Sequence, residues 1–295
     1  VYADPGEGPP VTLRATTAAG ATDWPQTGLS ANTRYAFQVA ATNTAGSSAK
    51  TTNYTAWTLI EPVAGLVFSN LGTNSITVAP TNTPSNLTSG SSGLYLANTT
   101  AGQNSGWQQS TAPWVSDSLS PNTQYTFSGQ SRNGAGVTTS AATDAKYTLA
   151  NTPLAPLVSN PSGSSLDVTL ASDGNPVPTV YAIQIAPAVG GNPWVQADGT
   201  VGASPVYRSA SDWGTVTVTG LAEFTVYSFK AQAQNGDGTV TSQGPAGTNM
   251  TKDVTPPTVT VNTLITNNEK PMLTGTVTDA GGTPTVSVTV NTHTY

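Results

Sequence analysis

Gly28-Leu29-Ser30-Ala31-Asn32-Thr33-Arg34-Tyr35-Ala36-Phe37 is the first of three versions of one phrase in this chain of 295 residues. The second is Ser118-Leu119-Ser120-Pro121-Asn122-Thr123-Gln124-Tyr125-Thr126-Phe127, and the third is Gly220-Leu221-Ala222-Glu223-Phe224-Thr225-Val226-Tyr227-Ser228-Phe229. In each, Tyr follows Leu by six residues, Asn follows Tyr by eight (Asn43, Asn133, Asn235), and Gly follows Asn by three (Gly46, Gly136, Gly238). The phrase recurs after 90 and then 102 residues. A period of that length marks an array of small domains rather than one globule.

Within the phrase, Tyr35, Phe37, Val39 and Ala41 share one parity, and Arg34, Gln38 and Thr42 share the other. This is the alternation of a strand with one buried face. The Tyr at its start is placed to bury its ring and return its hydroxyl to a backbone group upstream, a tyrosine corner. The following Asn and Gly supply a turn into the next strand.

Residues 60–150 spell out a whole unit. Leu66-Val67-Phe68, Ser75-Ile76-Thr77-Val78, Leu94-Tyr95-Leu96, the strand from Tyr125 to Ser131 and a last strand within Val137–Leu149 are separated by turn residues. About seven short strands in such a length suit two packed antiparallel sheets. Composition agrees. Charged residues are 8% of the chain, Gly and Pro fill 51 positions, and Val, Thr and Tyr recur in short alternating runs. These are strand formers, and the low charge argues against disorder.

The pattern Leu-x-x-x-Thr-x-Tyr-x-Phe-x-x-x-x-x-Asn-x-x-Gly resembles the fibronectin type III domain, over roughly residues 1–250. Residues 253–295, with Thr255-Pro256-Pro257, Pro271-Met272-Leu273-Thr274-Gly275 and Val286–Asn291, resemble the first half of a bacterial immunoglobulin-like domain. The resemblance implies an all-β chain of tandem antiparallel sandwiches in an extended rod. The expected divisions are a partial domain without its first strands (1–59), complete domains at 60–150 and 151–252, and an N-terminal part of an immunoglobulin-like domain (253–295). The first repeat has 28 residues before Leu29, too few for its opening strands. Pro62, Pro153 and Pro256-Pro257 mark short, semi-rigid junctions.

Function classes narrow by chemistry. The net charge is −6, and the nine Lys and Arg are scattered, so nucleic acid has no electrostatic footprint. No apolar run approaches a membrane span. There is no Cys, and His293 is the single His, so no transition-metal set can be assembled. Asp173 and Asp237 are carboxylates that calcium would need, but they lack the spacing of a dedicated loop and read as turn residues, and Asp253, at the boundary before the last domain, is the better placed of the three. No triad, paired acids or phosphate-binding loop is present, so no catalytic, cofactor or metal residue is assigned and no enzyme is expected.

Trp24 and Trp114 stand five residues before the phrase Leu, and Trp213 stands eight before, which marks packing positions. Trp57 and Tyr147 each stand two before a closing Leu and are expected to fill one slot. Trp107 and Trp194 are the freer pair and the candidates for a glycan-binding face. Lys230 opposes the parity of Tyr227 and Phe229, which points it to solvent rather than into a cross-link. Asn53, Asn86, Asn98 and Asn249 begin glycosylation-type triplets. The expected role is a non-enzymatic structural segment of a bacterial extracellular or cell-surface rod or filament, with copies of itself, neighbouring domains or glycans as partners. Head-to-tail joining of its incomplete end domains is the sharper form. An adhesin stalk or a carbohydrate-binding or spacer module of a larger protein is the alternative.

Overall fold

The computed structural model describes residues 1–171, 173–290 and 293–294, with Val290, His293 and Thr294 as backbone only. Asn291 and the His293 side chain therefore lie outside the described residues. The chain divides into two compact units, Val1–Leu149 and Ala150–Tyr295.

In the first unit, β1 (Tyr2–Pro5), β2 (Arg34–Gln38) and β5 (Tyr54–Trp57) form an antiparallel sheet with β2 in the centre. A small hairpin, β3 (Thr42–Asn43) with β4 (Gly46–Ser47), lies between β2 and β5 in sequence. The expected strand stops short here. Val39 is 51% exposed, and its N–H is taken by the Thr51 hydroxyl at 3.1 Å. The burying alternation ends because residues 1–59 contribute to neither of the two described clusters of buried apolar side chains.

The seven strands expected next are all present. They are β6 (Leu66–Ser69), β7 (Ile76–Pro80), β8 (Gly93–Asn98), β9 (Gln103–Gln108), β10 (Trp114–Ser116), β11 (Gln124–Arg132) and β12 (Ala142–Tyr147). Three strands in the order β10-β7-β6 face four in the order β12-β11-β8-β9. Tyr125, Phe127, Gly129 and Ser131 alternate inward along β11, and Phe127 is wholly buried with Ile76, Val78, Leu94 and Leu96. Phe68 meets Phe127 edge-on at 5.3 Å between ring centres, the arrangement the ring quadrupoles favour.

The second unit repeats the plan with additions. A sheet of β13 (Leu157–Ser159), β14 (Ser165–Thr169) and β19 (Thr215–Thr219) is accompanied by a larger one. The larger sheet runs β17 (Val201–Gly202), β16 (Asn192–Val195), β15 (Val180–Val189), β20 (Val226–Gln234) and β21 (Gly247–Met250), with β18 (Arg208–Ser209) also on β15. One turn of helix, α1 (Ala210–Trp213), is capped by the Ser209 hydroxyl, which accepts the Asp212 N–H at 3.1 Å. It buries Trp213, whose indole N–H donates to the Tyr181 carbonyl at 2.8 Å.

Beyond the sandwich come two hairpins, β22 (Thr258–Val261) with β23 (Gly275–Thr278), and β24 (Thr289–Val290) with β25 (His293–Thr294). No residue from 252 to 289 is buried. One face of β22–β23 is a ladder of hydroxyls, with Thr258 on Thr278 and Thr260 on Thr276, each at 2.6 Å.

Candidate functional site

The three phrases build one latch three times. The Tyr35, Tyr125 and Tyr227 hydroxyls accept the N–H of Ser30, Ser120 and Ala222 at 3.0, 2.9 and 3.0 Å. Each Tyr ring is buried, and the bond at its edge is part-buried. The Thr of the phrase turns its hydroxyl back two residues, as Thr123 does to the Pro121 carbonyl at 2.9 Å. That tightens the bend before the strand.

A second threonine closes each latch. Thr148 accepts the Thr123 N–H at 3.0 Å and donates to the Ser120 carbonyl at 2.7 Å. Thr58 does the same with Thr33 and Ser30 at 2.9 and 2.7 Å, and Thr251 with Thr225 and Ala222 at 3.0 and 2.6 Å. Thr148 and Thr251 have no exposed surface. The sequence held a signal for them. Thr58-Leu59 and Thr148-Leu149 each fall 23 residues after the phrase Tyr to the Thr.

The Asn and Gly after the strand make the expected turn. The Asn133 side-chain oxygen accepts the N–H of Ala135 and Val137 at 3.1 and 2.9 Å, and Asn235 treats Asp237 and Thr239 alike. Gly136 and Gly238 sit at φ of 84° and 80°, where a side chain is strained.

In the first unit these features become a joint between the β1-β2-β5 sheet and the following sandwich. Asn32 is wholly buried. Its amide donates to the carbonyls of Ser85 and Asn86 at 3.0 and 2.7 Å, and its oxygen accepts the Gly134 N–H at 2.8 Å. Asn86 answers by donating to the Ala31 carbonyl at 3.0 Å, and Asn133 donates to the Thr58 carbonyl at 3.0 Å. The Trp57 ring rests on Gly90 and Gly134, where any Cβ would overlap it. Trp57 is therefore a joint residue, and it keeps the slot expected to be shared with Tyr147: Trp57 pairs with Arg34 as Tyr147 pairs with Gln124, each the residue before the phrase Tyr. Glu61, in the connector, accepts the N–H and hydroxyl of Ser85 at 2.9 and 2.7 Å. Burial raises its carboxyl, but the bonds from Ser85 outweigh that and hold it below its ordinary range.

The remaining candidates separate. Trp114 packs on the core of the β6–β12 sandwich, while Trp24 is half-buried outside any strand. Trp107 is not free. The Arg132 guanidinium lies 4.3 Å over its ring, and Tyr95 stands 5.3 Å away. Trp194 lies on the outward face of β16, since its neighbour Val195 is wholly buried. Lys230 is exposed, as its parity required.

Asp173 binds the N–H of Asn175 and receives the Tyr181 hydroxyl at 2.9 and 3.0 Å. Burial, then the Asp173 charge, push Tyr181 up to about 12. Asp237 lies in the turn at Asn235, and Asp253 accepts the Thr255 N–H at 3.2 Å. Among the described residues no three His, Cys, Asp or Glu side chains gather as a metal set.

Of the four triplet asparagines, Asn98 is buried and donates to the Ser116 hydroxyl at 3.0 Å. Asn86 is held in the joint, and Asn249 donates to the Val158 carbonyl at 3.1 Å. Asn53 is exposed and donates to the Glu7 carbonyl at 2.8 Å.

No protein-family model matches the chain, and no curated protein matches it. Among solved structures, a two-domain fibronectin type III segment of chicken tenascin aligns with 65% of this chain and 100% of its own, at 16% identity and a TM-score of 0.42. The FN1-FN3 domains of chicken CNTN1 align with 75% of this chain and 76% of theirs, at 17% identity and a TM-score of 0.29. In this chain itself, the three-on-four strand order and the repeated tyrosine corner make a fibronectin type III-like sandwich. No helix among the described residues is long and apolar enough to cross a membrane.

Proposed function

We propose that the chain is a non-enzymatic structural segment of an extracellular or cell-surface rod or filament of bacterial type, which carries tension through tandem sandwiches. The observation behind this reading is the joint. Asn32 uses both amide hydrogens and its oxygen on the neighbouring sandwich, and Trp57 is seated on two glycines. A flexible tether would need none of these bonds. Load entering β2 would pass to β11 through the Asn32–Gly134 bond rather than through the connector alone.

Backbone ¹⁵N relaxation of the whole chain tests this. Residues of β2 and β5 should tumble with those of β11 and β12. Independent correlation times for the two sets would remove the reading.

The reading extends to head-to-tail association of copies. Its support is the apolar face of β22–β23, where Val259 and Val261 are 60% and 67% exposed. Sedimentation across a concentration series should show growing species, reversed by Val259→Arg. A species of constant mass would exclude association and leave the joint untouched.

A further inference from the structure

We propose that the outer face of the larger sheet in the second unit is a binding site for an acidic saccharide, centred on Trp194. Register puts three unlike side chains on one rung. Trp194 of β16 stands opposite Gln184 of β15, which stands opposite Lys230 of β20. All three point away from the core, because Val195, Ile183, Ile185 and Phe229 fill the inner face. Neighbouring strands are about 4.8 Å apart, so the rung spans about 10 Å from indole to ammonium, the reach of a short oligosaccharide.

Each member offers a different interaction. The Trp194 ring presents a half-buried aromatic surface on which the apolar face of a sugar ring can stack. It carries no ring or cation partner among the described residues, in contrast to Trp107 under Arg132. The Gln184 oxygen accepts from Gln243 at 2.7 Å, which orients its amide hydrogens for sugar hydroxyls. Lys230 is exposed and makes no ion pair among the described residues, although the chain as a whole is acidic. An aromatic surface with a few fixed polar groups is the usual composition of a small-ligand site. The ammonium at one end selects a carboxylate, which makes a uronic-acid oligomer the fitting ligand. This inference is independent of the structural role and would decorate the rod with a contact to an acidic polysaccharide.

The probe is oligogalacturonate, with cello-oligosaccharide of equal length as the neutral comparison, titrated into the whole chain. The expected result is a shift of the Trp194 indole N–H and a tenfold or greater loss of affinity in Trp194→Ala. Lys230→Gln should bring the acidic and neutral ligands to equal affinity, and Trp107→Ala should bind as the parent does. Trp194→Phe, with an unchanged melting temperature, controls for folding and should bind more weakly than the parent. Absence of any shift at millimolar oligogalacturonate, or binding that survives Trp194→Ala, overturns the site. Equal affinity of the parent for both ligands overturns the acidic selection. Neither result touches the relaxation test of the joint.

Discussion

The Tyr125 hydroxyl accepts the Ser120 N–H at 2.9 Å, and the same five-residue return is made by Tyr227 to Ala222. The ring is buried and the bond part-buried, so removing the hydroxyl leaves a backbone donor without its partner. Tyr125→Phe should cost about 1–2 kcal/mol, and Tyr227→Phe a similar amount. Urea denaturation of each variant reads this directly. A midpoint unchanged in both would show that the corner contributes nothing.

Thr148 closes the latch with one accepted and one donated bond. Thr148→Val keeps the shape and loses both, leaving the part-buried Thr123 N–H and Ser120 carbonyl without this partner, at a cost of roughly 1–3 kcal/mol. Thr148→Ser keeps both and should cost much less. The comparison separates hydrogen bonding from packing at one position.

Phe224 holds φ at 46°, where the equivalent residues of the first two phrases are Asn32 and Asn122 at 46° and 40°. Asn tolerates this region far better than a bulky aromatic. Phe224 is 41% exposed, so little packing is lost by replacing it. Phe224→Asn should raise stability by about 1 kcal/mol, seen as a higher melting temperature. A lower one would mean that the ring makes contacts worth more than the strain.

Glu61 gives the joint a pH dependence. Its carboxyl is held below its ordinary value of 4.5 while it accepts from Ser85. A depressed folded value means that its contribution is fully present above 4.5 and is lost as pH falls below it. The protection of the Ser85 amide, its exchange rate relative to the free peptide at the same pH, should therefore fall on acidification through that range. In Glu61→Gln, which keeps an acceptor but does not titrate, that fall should disappear.

The repeated phrase made much of this legible. Tyr, Asn and Gly at fixed spacing specify a corner, a strand and a turn through local geometry, and repetition shows which positions matter. The closing threonines were less visible, because Thr148 meets Thr123 across 25 residues and nothing local distinguishes it from other threonines. The joint was not legible at all. Asn32 reads as a turn residue, and its partner Gly134 lies 102 residues away. Trp107 and Trp194 looked alike until register placed Arg132 over one of them. The shortened β2 has the same origin, since alternation records a face able to be buried but does not supply the sheet that buries it.

Single-molecule pulling on the chain from its two ends reads the tension-bearing joint itself. Discrete unfolding events are expected for the two sandwiches, each releasing on the order of 30 nm as about 90 residues extend. In Asn32→Ala the joint should yield at lower force before either sandwich opens. A smooth, featureless extension, or a trace in which Asn32→Ala matches the parent, would contradict it.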